Sequence, residues 1–107
     1  MRPDLVRGNL DLLVLAVLAA RPAHGYAVIE ALRARSGGEL DLPEGTVYPA
    51  LHRLEAAGQL TSEESVVDGR RRRTYSVTRD GLAAIDARKD EWRRFARVVE
   101  LVTGGPA

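Results

Sequence analysis

Arg70, Arg71, Arg72 and Arg73 stand side by side in a chain of 107 residues whose formal net charge is only +1. With Arg79 they place five positive charges within ten residues. A guanidinium is planar, permanently charged and able to donate a fork of hydrogen bonds to two oxygens, so a row of them suits phosphate. A local basic cluster in a near-neutral chain is a nucleic-acid footprint that bulk charge conceals. A second set of hydrogen-bonding side chains lies upstream. On a helical wheel of about 100° per residue, Val47, Leu51 and Leu54 share an inner face. The opposite face carries Pro49, His52, Arg53 and Ala56, with Thr46 and Tyr48 flanking it. Small residues between hydrogen-bonding ones let a helix enter a major groove without obstruction. Thr46 and Tyr48 bring hydroxyls for backbone phosphates, and His52 and Arg53 point where base edges would lie. Each set also has a plain reading: a solvated helix face, and a charged turn that discourages edge pairing. Four consecutive arginines exceed what a solubilising turn needs.

Catalytic and metal chemistry find little support. Cysteine is absent, which excludes disulfides, thiolate metal sites and a cysteine nucleophile. The two histidines, His24 and His52, are 28 residues apart and lack a metal-ligand spacing. There is no phosphate-binding glycine loop and no nucleophile elbow. Glu63-Glu64 and Asp90-Glu91 read as solvated charge. The expectation is a binding protein, not an enzyme, with no cofactor and no metal.

These residues need elements to hold them. A first helix is expected from about Asn9 to Ala20, with Asn9 as N-cap and Pro22 beyond its end. It is apolar nearly all round, so one face should enter the core and the other meet a second subunit. Leu10, Leu13 and Val14 are its expected interface residues. A second helix spans about His24 to Arg35, with Tyr26, Ile29 and Leu32 inward, and Ser36-Gly37-Gly38 ends it. Leu40 and Leu42 anchor the loop from Glu39 to Glu44. A third helix runs from Thr46, as N-cap, to Ala57, with Gly58 as a left-handed C-cap. On that start Pro49 falls in the first turn; a start at Glu44 would put it in the interior and force some bending. Leu60 to Val67 and Arg72 to Val77 are β-leaning runs around Val67-Asp68-Gly69-Arg70, a hairpin signal. Thr78 then caps a long helix to about Val102. Its apolar positions Leu82, Ile85, Trp92, Phe95, Val99 and Val102 recur at heptad-like spacing.

The expected fold is therefore mainly α with a small β-hairpin: a winged helix-turn-helix over residues 1–78, a C-terminal dimerisation helix over 79–102 packed on it, and a frayed tail over 103–107. Trp92, Phe95, Val99 and Val102 complete the expected dimer interface. Met1 to Ala23 superficially resembles an export signal. Asp4 and Asp11 interrupt it, no small-x-small cleavage site follows, and its apolar stretch from Leu10 to Ala20 is too short for a bilayer, which needs about 20 residues. A cytoplasmic protein without membrane association is expected.

Three motifs in order now resemble one family. His24-Gly25-Tyr26, then Glu44-Gly45-Thr46-Val47-Tyr48-Pro49-Ala50-Leu51 with Arg53-Leu54-Glu55, then Gly69 to Thr78 with Gly81, are similar to the PadR-type bacterial transcriptional regulators. The Gly-Thr-x-Tyr-Pro-x-Leu segment is the most diagnostic. Val47 stands where the family often has leucine, and Thr74 where a second aromatic is common. The resemblance implies a homodimeric repressor on a near-palindromic operator in double-stranded DNA. It adds Tyr26 to the DNA-contacting residues and has the Arg-rich wing grip the flanking minor groove. The single helix after the wing resembles the short subgroup, in which tryptophans of the paired last helices hold flat aromatic ligands. Trp92 occupies the matching helix, as a ligand contact or simply as an interface residue. A winged-helix protein-interaction module without DNA binding is the competing function.

Overall fold

The structure, a computed structural model, describes residues 1–105. Helix α1 (Pro3–Ala20) leads into a two-residue strand β1 (Ala23–His24), helix α2 (Gly25–Arg35) and helix α3 (Glu44–Ala56). Strands β2 (Leu60–Val67) and β3 (Arg70–Val77) follow, and helix α4 (Arg79–Thr103) closes the chain. The sheet order is β1-β3-β2, antiparallel throughout. The expected winged helix-turn-helix is present, and its hairpin gains a third strand.

α1 is the central helix. It packs on α2, α3, α4 and β3, and Val14, Leu15 and Leu18 are buried beneath them. Val28, Leu32, Val47, Leu51, Leu54, Leu60 and Tyr75 complete the same core, with Leu40 and the partly buried Leu42 holding the loop before α3 against it. An all-round apolar helix is thus covered mostly within the protomer. Leu10 and Val14, expected at a dimer interface, are interior residues; Leu13 is partly buried against the core.

Two helix starts differ from expectation for identifiable reasons. α1 begins at Pro3, whose missing N–H and fixed φ suit the first turn, with Asp4 at the positive end of the helix dipole. Asn9 is not a cap: it lies inside the helix, and its Nδ2 donates to the Leu5 carbonyl at 2.8 Å. α3 begins at Glu44, capped by Pro43, whose carbonyl accepts from the N–H groups of Thr46 (3.0 Å) and Val47 (3.2 Å). Thr46 is therefore helical, and Pro49 lies inside the helix. Proline there removes the N–H that would bond the Gly45 carbonyl. Gly45 is exposed, so water can serve that carbonyl.

β3 begins at Arg70, two residues before the expected Arg72, while the turn and cap signals around it read as expected. Asp68 (φ 51°) and Gly69 (φ 75°) turn the hairpin in the left-handed region that a two-residue type I′ turn requires. Thr78 caps α4, accepting at Oγ from the Gly81 N–H at 3.1 Å. α4 runs through Thr103 to a left-handed Gly104. The frayed tail expected from 103 thus begins inside the helix, and residues 106 and 107 lie outside the described part.

Candidate nucleic-acid interface

α2, α3 and the hairpin enclose an open groove of about 590 Å³ lined by His24, Gly25, Tyr26, Tyr48, His52, Arg70, Arg72, Arg73 and Tyr75. Among the described residues no carboxylate belongs to its wall. Three elements build it. α3 sends Tyr48 and His52 from successive turns of one face. β3 carries the arginines, held in register against β2 from Leu60↔Val77 to Val67↔Arg70. β1 pins the start of α2 to the sheet, pairing Ala23 with Tyr75 and His24 with Thr74.

Local contacts set the geometry. Tyr48 lies against Gly25, so close that a β-carbon on Gly25 would meet the ring at 2.7 Å and the hydroxyl at 2.9 Å. His24 caps α2: its Nδ1 accepts from the Ala27 N–H at 3.2 Å. The ring's Nε2 sits 3.3 Å from Arg72 Nη1, which brings the imidazole and the guanidinium together at the groove wall. Burial pushes the Tyr75 phenol above its ordinary range; Glu55 and Tyr48 act the same way and Arg73 opposes them. Its hydroxyl therefore stays protonated at the base of the groove. The result is a concave surface of donors suited to anionic oxygen.

The groove joins six of the residues singled out from sequence: Tyr26, Tyr48, His52, Arg70, Arg72 and Arg73. Tyr26 faces outward, 56% exposed, and not into the core as its spacing predicts. Pro49 is exposed on α3 outside the groove wall, and Arg71 also lies outside it. Thr46 borders a different hollow, between the start of α1 and the loop before α3. Sequence reasoning passed over His24, Gly25 and Tyr75 as contributors to this surface. The His-Gly-Tyr run contained the first two, but their roles depend on residues far along the chain, Tyr48 for Gly25 and Arg72 for His24.

Arg53 is the clearest departure. It is turned away from the groove and bonds the carboxylate of Asp11 on α1, which also pairs with Arg88 of α4 at 3.3 Å. The Asp11 side chain is 24% exposed, between the surface and buried limits for an ion pair. Replacing Asp11 by Asn leaves two guanidiniums facing each other. We expect a loss of about 1–2 kcal/mol, read from the urea midpoint. An unchanged midpoint would show that the three side chains contribute nothing to the packing of α1 on α3 and α4.

α4 exposes a long apolar stripe. Trp92 (55% exposed), Phe95 (67%), Val99 and Val102 (80%) all face solvent, joined by Val98 and Leu101, which the heptad reading omitted, and by Leu5 of α1. Trp92 stands between two grooves, one of about 660 Å³ with Phe95, Arg53 and Arg88, the other of about 560 Å³ with Leu12, Leu13 and Leu40. Among the described residues no helix is long and apolar enough to cross a membrane, and no three potential metal ligands cluster.

Comparison with known proteins agrees with this architecture. Residues 14–87 match the Transcriptional regulator PadR-like family. The chain is 41% identical over 96 residues to transcriptional regulator Rv3488 of Mycobacterium tuberculosis, covering 90% of this chain and 87% of that one. A transcriptional regulator from Clostridium thermocellum superposes with a TM-score of 0.85 at 27% identity, over 91% of this chain and 95% of its own. A PadR family regulator from Clostridium difficile gives 0.75 at 31% identity, over 90% and 99%. The family is one of transcription regulators and not of enzymes, and with a match across most of its length and a shared fold, this chain belongs to the PadR-like family of transcriptional regulators.

Proposed function

We infer that this regulator acts as a homodimeric repressor, binding a near-palindromic operator in double-stranded DNA in the bacterial cytoplasm. The observation that carries the reading is the donor-lined groove without a carboxylate, formed between α3 and the wing. α3 would present Tyr48 and His52 to the major groove, Tyr26 would reach a phosphate, and the wing arginines would follow the backbone into the minor groove. The exposed stripe of α4 supports the dimer, since contiguous apolar surface of this kind marks an association site. A second copy would bring a second α3 to the adjacent half-site. A flat aromatic ligand would lie against Trp92, which borders apolar surface on two sides. No cofactor enters this reading.

The test is a fluorescence-anisotropy titration against the DNA upstream of the protein's own gene, at three salt concentrations, with an unrelated duplex alongside. Selective binding with a steep salt slope is expected, because each neutralised phosphate releases counterions. His52→Ala should alter preference among operator variants, at about 1–3 kcal/mol for a lost base contact. Equal losses on specific and random DNA would take His52 out of base reading. No binding even at low salt would overturn the reading and favour a protein-interaction module.

A further inference from the structure

The strand register divides the four wing arginines into two pairs on opposite faces of the ribbon, since successive side chains alternate. Arg71 and Arg73 share a face with Val66, Glu64, Ser62 and the buried Tyr75. Arg70 and Arg72 share the other with His24 of β1, which pairs beside Thr74.

The two faces differ in charge. Glu64 holds both arginines of its own face, with Oε1 3.5 Å from Arg71 Nη1 and Oε2 3.4 Å from Arg73 Nη2. Arg73 Nη1 also donates to Ser62 Oγ at 3.0 Å, and that hydroxyl donates to Glu55 Oε2 of α3 at 2.6 Å. A phosphate approaching this face would meet Glu64, with Glu55 behind it. Arg73 borders the groove, but its guanidinium is turned to Ser62 and Glu64. On the other face Glu63 stands opposite Thr74 and forms no ion pair within 4 Å among the described residues. Arg70 and Arg72 line the groove without a carboxylate partner among the described residues, and Arg72 meets the ring of His24.

We propose that the wing engages the DNA backbone through Arg70 and Arg72 alone, and that Glu64 is a selectivity residue that withholds Arg71 and Arg73 from phosphate. The inference rests on the DNA-binding reading and assigns different work to arginines that are adjacent in sequence. Arg73, with Ser62 and Glu55, instead ties the wing to the end of α3 and sets the angle between the two DNA-facing elements. Glu64 keeps sequence-independent attraction low, so that a larger share of affinity comes from α3.

The experiment uses the full-length protein and a mixed-sequence duplex, where backbone contacts dominate and no operator need be known. Kd is measured across a salt series for the wild type, Arg71→Ala, Arg72→Ala and Glu64→Gln. Arg72→Ala should reduce the slope of log K against log salt by about one, the value for one phosphate. Arg71→Ala should leave that slope unchanged. Glu64→Gln frees two guanidiniums and should tighten binding to the mixed duplex about threefold or more, with a steeper slope. All three positions are exposed, and thermal melts check that each variant folds. Equal slope losses for Arg71→Ala and Arg72→Ala, or a Glu64→Gln variant that binds no tighter, would overturn the assignment while leaving DNA binding intact. Absence of wild-type binding at low salt would overturn the DNA reading itself.

Discussion

Gly25→Ala should weaken operator binding by about tenfold or more, a loss of at least about 1.4 kcal/mol, while the protein stays folded. Gly25 is the first residue of α2, and its backbone needs no conformation that alanine lacks. What excludes a methyl group is Tyr48, whose ring atoms lie 2.7 Å from where the β-carbon would sit. The ring is half-buried at the rim of the groove, so it can yield by rotating outward while the helix stays in place. Alanine is also the better helix former, by about 0.8–1 kcal/mol in a helix interior and less at its first turn, which offsets part of the repulsion. Stability should therefore change little while the Tyr48 hydroxyl leaves its place. Anisotropy titration and a thermal melt on the same preparation separate the two effects. Tyr48→Phe keeps the ring against Gly25 and removes only the hydroxyl, so it isolates what the hydroxyl adds to binding. Full affinity in Gly25→Ala, with a lower melting temperature, would mean that the Gly25–Tyr48 contact serves packing and not DNA.

That pair shows which parts of the site were legible in sequence. Signals confined to a few neighbouring residues survived: Asp68-Gly69 makes its turn, Thr78 caps α4, and Leu40 holds the loop before α3. The boundaries that moved are those where a preferred local partner was displaced. Asn9 is a good cap in isolation, but Pro3 and Asp4 offer an earlier start, and the Asn9 side chain settles on the Leu5 carbonyl. Periodicity places Arg53 on the outer face of α3, and that is correct. It gives no notice that Asp11, 42 residues earlier, sits within reach to draw the guanidinium away from the groove. Leu10 and Val14 failed as interface residues for a related reason. A helix apolar all round says that both sides are covered, not by whom, and here α2, α3, α4 and the sheet supply most of the cover. β1 had no signal at all. Two residues carry no period, and the strand exists only because β3 offers an edge some fifty residues downstream.

Gly81→Ala is expected to produce the largest stability loss of any methyl addition to this chain, about 2–3 kcal/mol. For a domain of this size that corresponds to a fall in Tm of roughly 10–20 °C. A β-carbon on Gly81 would collide with the backbone carbonyl of Gln59 and lie 2.7 Å from Val77 Cγ1. Neither obstacle is a flexible side-chain end. The Gln59 N–H is bound to the Leu54 carbonyl at 2.9 Å, and its own carbonyl accepts from the Thr78 N–H at 3.1 Å. The Thr78 hydroxyl closes the joint, donating to the Gly58 carbonyl at 2.7 Å and accepting from the Gly81 N–H. The end of α3, the root of the wing and the start of α4 thus meet at one place, and relieving the clash requires separating them. Gly8→Ala is the matched control. Gly8 is exposed inside α1 with open space around it, so the same chemical change should stabilise by about 0.5–1 kcal/mol through backbone entropy. Melts at one fixed protein concentration, to hold any dimer equilibrium constant, should move in opposite directions for the two variants. Equal small shifts would show that the α3–wing–α4 joint is soft, and the wing's orientation over the groove would then have to come from the Glu55–Ser62–Arg73 chain alone.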